Sequence, residues 1–117
     1  ACDRRVGILG PFKIGLNEVS IGMRVPEFGL ELARARLVVT ELGAATLESH
    51  MYSPTQAVDA GFLDEAVSPE DMVALALGEA KRLGALSKKA YAGTKRVLRR
   101  DVAKQVLDGL EADLSTF

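Results

Sequence analysis

Glu18 is the residue best placed to do chemistry, because it is a carboxylate inside the stretch "GPFKIGLNEVSIGM", Gly10 to Met23. Around it, Ile14, Leu16, Val19 and Ile21 read as buried backbone, with Gly15 and Gly22 bracketing the segment. An ionised carboxylate left unpaired in an apolar setting costs several kcal/mol or is driven towards its neutral form. Proton transfer beside a carbonyl needs such a group, one that accepts and returns a proton near neutral pH. The competing reading is a carboxylate that caps a turn or reaches solvent. Both remain open on the residues alone.

The other reactive side chains carry weaker signals. His50 follows an expected helix end and precedes "MYSP", which suits an exposed or C-capping histidine. No serine or cysteine stands in an arrangement with it that would make a triad. Cys2 is accompanied only by Arg4 and Arg5, alternating along an expected strand, and reads as a small buried hydrophobe. The run "KRVLRR", Lys95 to Arg100, reads as a solvated helix face, with phosphate binding as a second possibility.

The elements that must position Glu18 follow from local signals. Residues 3–9 and 12–19 are the strand material of the first third, separated by the turn pair Gly10-Pro11. Pro26 suits the first turn of a helix whose Phe28, Leu32 and Ala35 share an apolar face. Thr40 is expected to cap a second helix running to about Ser49. "SPTQ" places Ser53 at an N-cap, Pro54 at N1 and Gln56 at N3, and Gly61 ends that helix. "FLDEAV" reads as a short strand. "SPED" opens another helix with Ser68 as cap, its face formed by Val73, Ala76, Leu77, Ala80 and Leu83. Beyond Ser87 the chain reads as helical, with Tyr91, Thr94 and Leu98 in one stripe. Ala103, Val106, Leu107, Leu110 and Leu114 form another, which packs either on its own domain or on another subunit. The order implies an α/β layer over residues 1–67 and a helical region over 68–117, with too few strands for a free-standing sheet.

The totals narrow the function classes. The 117 residues suffice for one domain with a modest core. Fifteen basic against sixteen acidic residues, a net charge of −1, give no electrostatic footprint for nucleic acid. No apolar run approaches the roughly 20 residues that span a bilayer. One cysteine and one histidine build no protein-only zinc site of the usual kind, and a reducing cytoplasm is the expected compartment. Strand residues appear almost from the first position, so we expect further sequence upstream.

"CDRRVG", "GPFKIGLNEVSIGM", the P-x-x-x-L-x-x-A-R-x-R-L spacing of Pro26 to Leu37, "SPTQAVDAGFLDEAVSPEDM" and the segment Tyr91 to Lys95 occur in this order. Together they resemble the second half of the crotonase superfamily, the enoyl-CoA hydratases and isomerases, along nearly the whole chain. The resemblance implies a spiral of βαβ units with a helical C-terminal oligomerisation region, forming trimers or dimers of trimers. It implies an acyl-CoA thioester substrate, with coenzyme A as part of that substrate and no further cofactor. An enolate would be held by two backbone N–H groups, and Glu18 matches the family's proton-transferring glutamate. The implied reaction is hydration of a trans-2-enoyl-CoA in fatty-acid degradation, or the related isomerisation. The alternative is a non-catalytic acyl-CoA-binding or oligomerisation scaffold of the same fold. The oxyanion donors and the second glutamate of the two-glutamate hydratases are expected in an N-terminal half upstream of Ala1. On that expectation the 117 residues alone are inactive. "EFGLELARARL" stands where many members have a glycine-rich stretch, which would reshape the acyl pocket.

Overall fold

The computed structural model describes residues 1–116; Phe117, the last residue of the expected helical region, lies outside them. Two short strand pairs organise the first two thirds of the chain. Strand β1 (Val6–Ile8) runs parallel to β4 (Glu65–Val67), with Val6 opposite Glu65, Gly7 opposite Ala66 and Ile8 opposite Val67. Strand β2 (Ile14–Gly15) lies antiparallel to β3 (Met51–Tyr52), with Ile14 opposite Tyr52 and Gly15 opposite Met51. A parallel pair needs a long crossover. Here it holds helices α1 (Glu27–Arg36), α2 (Leu42–Thr46) and α3 (Pro54–Ala60), with 3-10 turns at Val19–Ile21 and Val39–Glu41. Helices α4 (Pro69–Gly84), α5 (Lys88–Leu98) and α6 (Arg100–Thr116) complete the chain.

The core lies where α1, α2, α3 and β3 meet. Ala33, Leu37, Ala45, Tyr52, Ala57 and Ala60 are buried there, with Ile14, Leu16, Leu42, Phe62 and Leu63 packed around them. The Tyr52 hydroxyl donates to Glu41 Oε2 at 2.8 Å, giving a buried phenol its partner. Burial and the neighbouring carboxylate push the Tyr52 phenol up to about 12, so it stays protonated at working pH.

Helix α3 forms as its sequence dictates. Ser53 Oγ accepts from the Gln56 amide at 3.2 Å, and Gln56 Oε1 accepts from the Ser53 amide at 3.0 Å. The reciprocal pair satisfies two amides that the helix start would otherwise leave open. Ser53→Ala is expected to cost about 1 kcal/mol, read as a lower urea midpoint with an unchanged slope. Gly61 closes the helix at φ +98°, a left-handed position. Arg5 then ties β1 to the same corner, its amide donating to Asp64 Oδ2 at 2.8 Å and its guanidinium to Asp64 Oδ1 at 3.1 Å. Burial pushes the Asp64 carboxyl up, but the Arg5 hydrogen bonds and charge outweigh it and hold the group below its ordinary range.

Several expected features sit differently. The strand expected over 12–19 shrinks to Ile14–Gly15, because the chain turns at Glu18 and Gly22 takes φ +80°. Thr40 lies inside the 3-10 turn rather than capping a helix, and Pro26 is the residue before α1 rather than its first member. Ser68 stands at the α4 N-cap, but its side chain accepts no amide there. On α4, Val73 and Leu77 are exposed while Met72, Leu75, Ala76, Glu79 and Leu83 are half-buried, so the covered face is rotated from the expected one. Helix α6 buries Val102, Val106, Gly109 and Asp113 towards α1 to varying depth and leaves Leu107, Leu110 and Leu114 outside. Cys2 is exposed, not buried.

Asp113 explains how α1 starts. Proline before the helix supplies no capping side chain. Asp113, 2 % exposed on α6, accepts instead from the Glu27 amide at 2.7 Å and the Phe28 amide at 3.0 Å. Arg24 adds a cation at 3.5 Å. Gly109, one turn earlier on the same face, leaves room for the Glu27 side chain. Burial pushes the Asp113 carboxyl up, yet the two amides and Arg24 outweigh it and hold the group below its ordinary 3.8. A depressed folded value means the stabilisation is complete above the unfolded value and is lost as pH falls through the folded one. Asp113→Asn should therefore lower the melting temperature at neutral pH and flatten the acid limb of the stability profile below the ordinary 3.8. Melting curves from neutral to strongly acid pH check both.

Candidate active site around Glu18

Glu18 sits where the antiparallel ladder ends. Gly15 allows the close approach of β2 to β3, since a Cβ there would lie 2.7 Å from Met51 Sδ and 2.9 Å from the His50 carbonyl. Past Asn17 the backbone enters helical geometry at Glu18, with φ −55° and ψ −49°, as the residue before the 3-10 turn. The Glu18 carbonyl accepts from the Ile21 amide at 3.1 Å and the Met23 amide at 2.8 Å. Its backbone is thus held at both ends of the turn.

The side chain is held differently. Glu18 as a residue is half-buried, but its Oε2 is sealed from solvent and has no hydrogen-bond partner within the chain. A sealed, unpartnered carboxylate oxygen is expensive to keep unless it has work to do or a partner arrives. The flanking residues are not the buried wall that the sequence suggests. Val19 is 45 %, Ile21 62 % and Met23 42 % exposed, so they form an open apolar rim rather than a closed pocket. Phe12 and Phe28 are exposed as well. The principal concavities of the described residues are lined by other side chains.

The remaining candidates lie apart from Glu18 chemically. His50 is exposed and meets Tyr52 edge-on, ring centroids 4.6 Å apart at 83°. It borders a polar depression with Glu41, Gln56 and Asp59, without a serine or cysteine among its lining residues. Within "KRVLRR", Lys95 is engaged, its Nζ donating to Asp3 Oδ2 at 2.9 Å beside the Tyr91 hydroxyl at 2.7 Å. Those two bonds hold the Asp3 carboxyl below its ordinary range, the Tyr91 hydroxyl contributing most. Together with Leu86, Ala90 and Leu98 they border a mainly apolar cleft of about 480 Å³. Arg96, Arg99 and Arg100 share an open groove with Ala103 and Leu107.

Two contributors escape sequence reasoning. Ser49 Oγ accepts from the Ser20 amide at 2.9 Å, tying the turn that carries Glu18 to the end of α2. Asp113 holds the α1 start from more than eighty residues away. The expected helix end near Ser49 marks the first position; no local signal marks the second.

A parallel strand pair joined by a helical crossover, an antiparallel ladder leading into a glutamate turn, and three trailing helices define a crotonase-fold chain. Solved structures bear this out. The chain superposes with a TM-score of 0.91 on an enoyl-CoA hydratase/isomerase family protein from Pseudomonas syringae, at 39% identity, covering 95% of this chain and 48% of that one. It superposes equally, at 0.91 and 32% identity, on a Mycobacterium tuberculosis protein called an enoyl-CoA isomerase in one solved structure and a probable enoyl-CoA hydratase in another, covering 98% of this chain and 50% of that one. In sequence it is 30% identical over 118 residues to the mouse mitochondrial enoyl-CoA delta isomerase 1, covering 99% of this chain and 40% of that protein. No family model matches the chain. The chain thus shares the fold of enoyl-CoA hydratase/isomerase family proteins and spans about half the length of these solved relatives.

Proposed function

We propose that this chain supplies the proton-transferring carboxylate, Glu18, of an enzyme acting on enoyl-CoA thioesters. The observation that carries the reading is the sealed, unpartnered Glu18 Oε2 on an apolar rim, within a fold shared with enoyl-CoA hydratases and isomerases. The α-proton of a thioester is weakly acidic, so its removal leaves an enolate that must be held electrostatically. Backbone N–H groups aimed at the developing oxyanion contribute on the order of 3–4 kcal/mol each. We assign those donors to residues outside this chain, and Glu18 to the proton. Coenzyme A enters as part of the substrate. Residues 68–117 are proposed to join copies in a trimer or dimer of trimers, in the cytoplasm.

Two reactions share this chemistry. Hydration of a trans-2-enoyl-CoA adds water with the help of a second acidic group. Isomerisation takes a proton from C2 of a 3-enoyl thioester and returns it to C4 as the double bond shifts from C3–C4 to C2–C3, which a single carboxylate can do. The isomerase name of the mouse relative favours the second, while the M. tuberculosis relative carries both an isomerase and a hydratase name. Supplying the intact protein with a trans-2-enoyl-CoA and a 3-enoyl-CoA in parallel separates them. Loss of the conjugated-thioester absorbance marks hydration, and its appearance marks isomerisation. Calorimetric binding of an acyl-CoA with no turnover of either substrate would replace the catalytic reading by the scaffold one.

A further inference from the structure

Ser49 is the one non-glycine residue among the described residues with positive φ, at +53°. It stands just past α2, where the His50 amide returns to the Ala44 carbonyl at 2.9 Å and the Leu47 amide to that of Gly43 at 2.9 Å. This return reaches back six positions, one more than the common glycine-ended stop, but it too holds Ser49 left-handed, a conformation that glycine takes at less cost because any Cβ there is strained. Helix termination by itself therefore asks for glycine. What serine adds is its hydroxyl, and that hydroxyl accepts the Ser20 amide 29 residues away. The Ser20 hydroxyl in turn donates to the Asn17 carbonyl at 2.6 Å. Both residues that flank Glu18 across this small network, Asn17 before it and Ser20 after it, are thereby fixed. Backbone strain kept where a simpler residue would remove it points to a positional task.

We propose that Ser49 is a positioning residue, which sets the turn carrying Glu18 so that its carboxylate meets the reacting carbon. The inference rests on the proton-transfer reading of Glu18. Its consequence has opposite signs in stability and turnover. Ser49→Gly relieves the left-handed strain, so the melting temperature holds or rises, while the tether to Ser20 is lost. Turnover of the enoyl-CoA by the intact protein should then fall roughly ten- to a hundred-fold in kcat, with KM little changed, as expected when a reacting group is misplaced by about an ångström. Ser49→Thr, which keeps the hydroxyl, should restore most of kcat while melting lower than Ser49→Gly. Hydrogen exchange at the Ser20 amide should quicken in Ser49→Gly. Wild-type kcat in Ser49→Gly, or a Ser20 amide exchanging as slowly as before, would overturn the assignment. A wild-type protein inert towards both enoyl-CoA substrates would instead remove the proton-transfer reading. The Ser20 exchange rate would still decide whether the tether exists.

Discussion

Glu18→Gln is expected to lower enoyl-CoA turnover by roughly 10²–10⁴-fold, the usual contribution of a positioned acid or base. Glutamine keeps the length and shape of the side chain and removes its ability to take a proton. The stability readout makes the experiment discriminating. Because Oε2 accepts no hydrogen bond from within the chain, no protein partner is stranded by the change. The folding stability should therefore stay within about 0.5 kcal/mol of wild type. A carboxylate serving as a turn cap would behave the other way, with stability falling while turnover held. Substrate affinity gives a further axis, since an acyl-CoA measured by calorimetry should bind the glutamine variant about as well as wild type. Intact turnover in a well-folded Glu18→Gln protein would end the proposal.

The largest expected loss of stability comes from Gly61→Ala. Two independent penalties fall on the new methyl group. The backbone there has φ +98°, which an L side chain rarely adopts, and the Cβ would lie 2.6 Å from the Arg36 carbonyl oxygen and 3.1 Å from Leu37 Cα. Both near atoms are backbone, so no rotamer change opens room. Strain and overpacking together should cost roughly 2–5 kcal/mol. The same corner holds the Val38 amide on the Ala60 carbonyl at 2.9 Å and Arg5 on the Gly61 carbonyl, so movement to relieve the clash would loosen both. Chemical denaturation of the two proteins side by side measures the difference. A loss below half a kcal/mol would mean that α1 and α3 are free to separate at this point.

What the sequence made legible was local. The Ser53–Gln56 box, the Pro54 start and the Gly61 stop of α3 are written within nine residues, and each appears as expected. Strand β4 within "FLDEAV" was likewise readable. What failed was directional or distant. Apolar periodicity finds a face on α4 and α6 but does not say which side the body covers. On α6 the gap at Gly109 and the carboxylate of Asp113 decide the packing, while Leu107, Leu110 and Leu114 stay outside. Helix α1 is capped by a residue 86 positions away, which no window of local sequence can reveal. The apolar flank of Glu18 misled in the same way, since Val19 and Ile21 proved exposed even though Oε2 of Glu18 itself is sealed. Cys2 was misplaced because a strand was expected to begin before it does.

Four of the six residues at the centre of the hydrophobic cluster, Ala33, Ala45, Ala57 and Ala60, end in a single methyl group. Methyl groups have no alternative rotamers, so this interior cannot absorb a disturbance by reshuffling side chains. Any displacement must be carried by whole helices, and α1, α2 and α3 should move as a block. The ladder that delivers the glutamate turn packs against this block through Ile14 and Tyr52, so the Glu18 turn should shift with the block rather than independently of it.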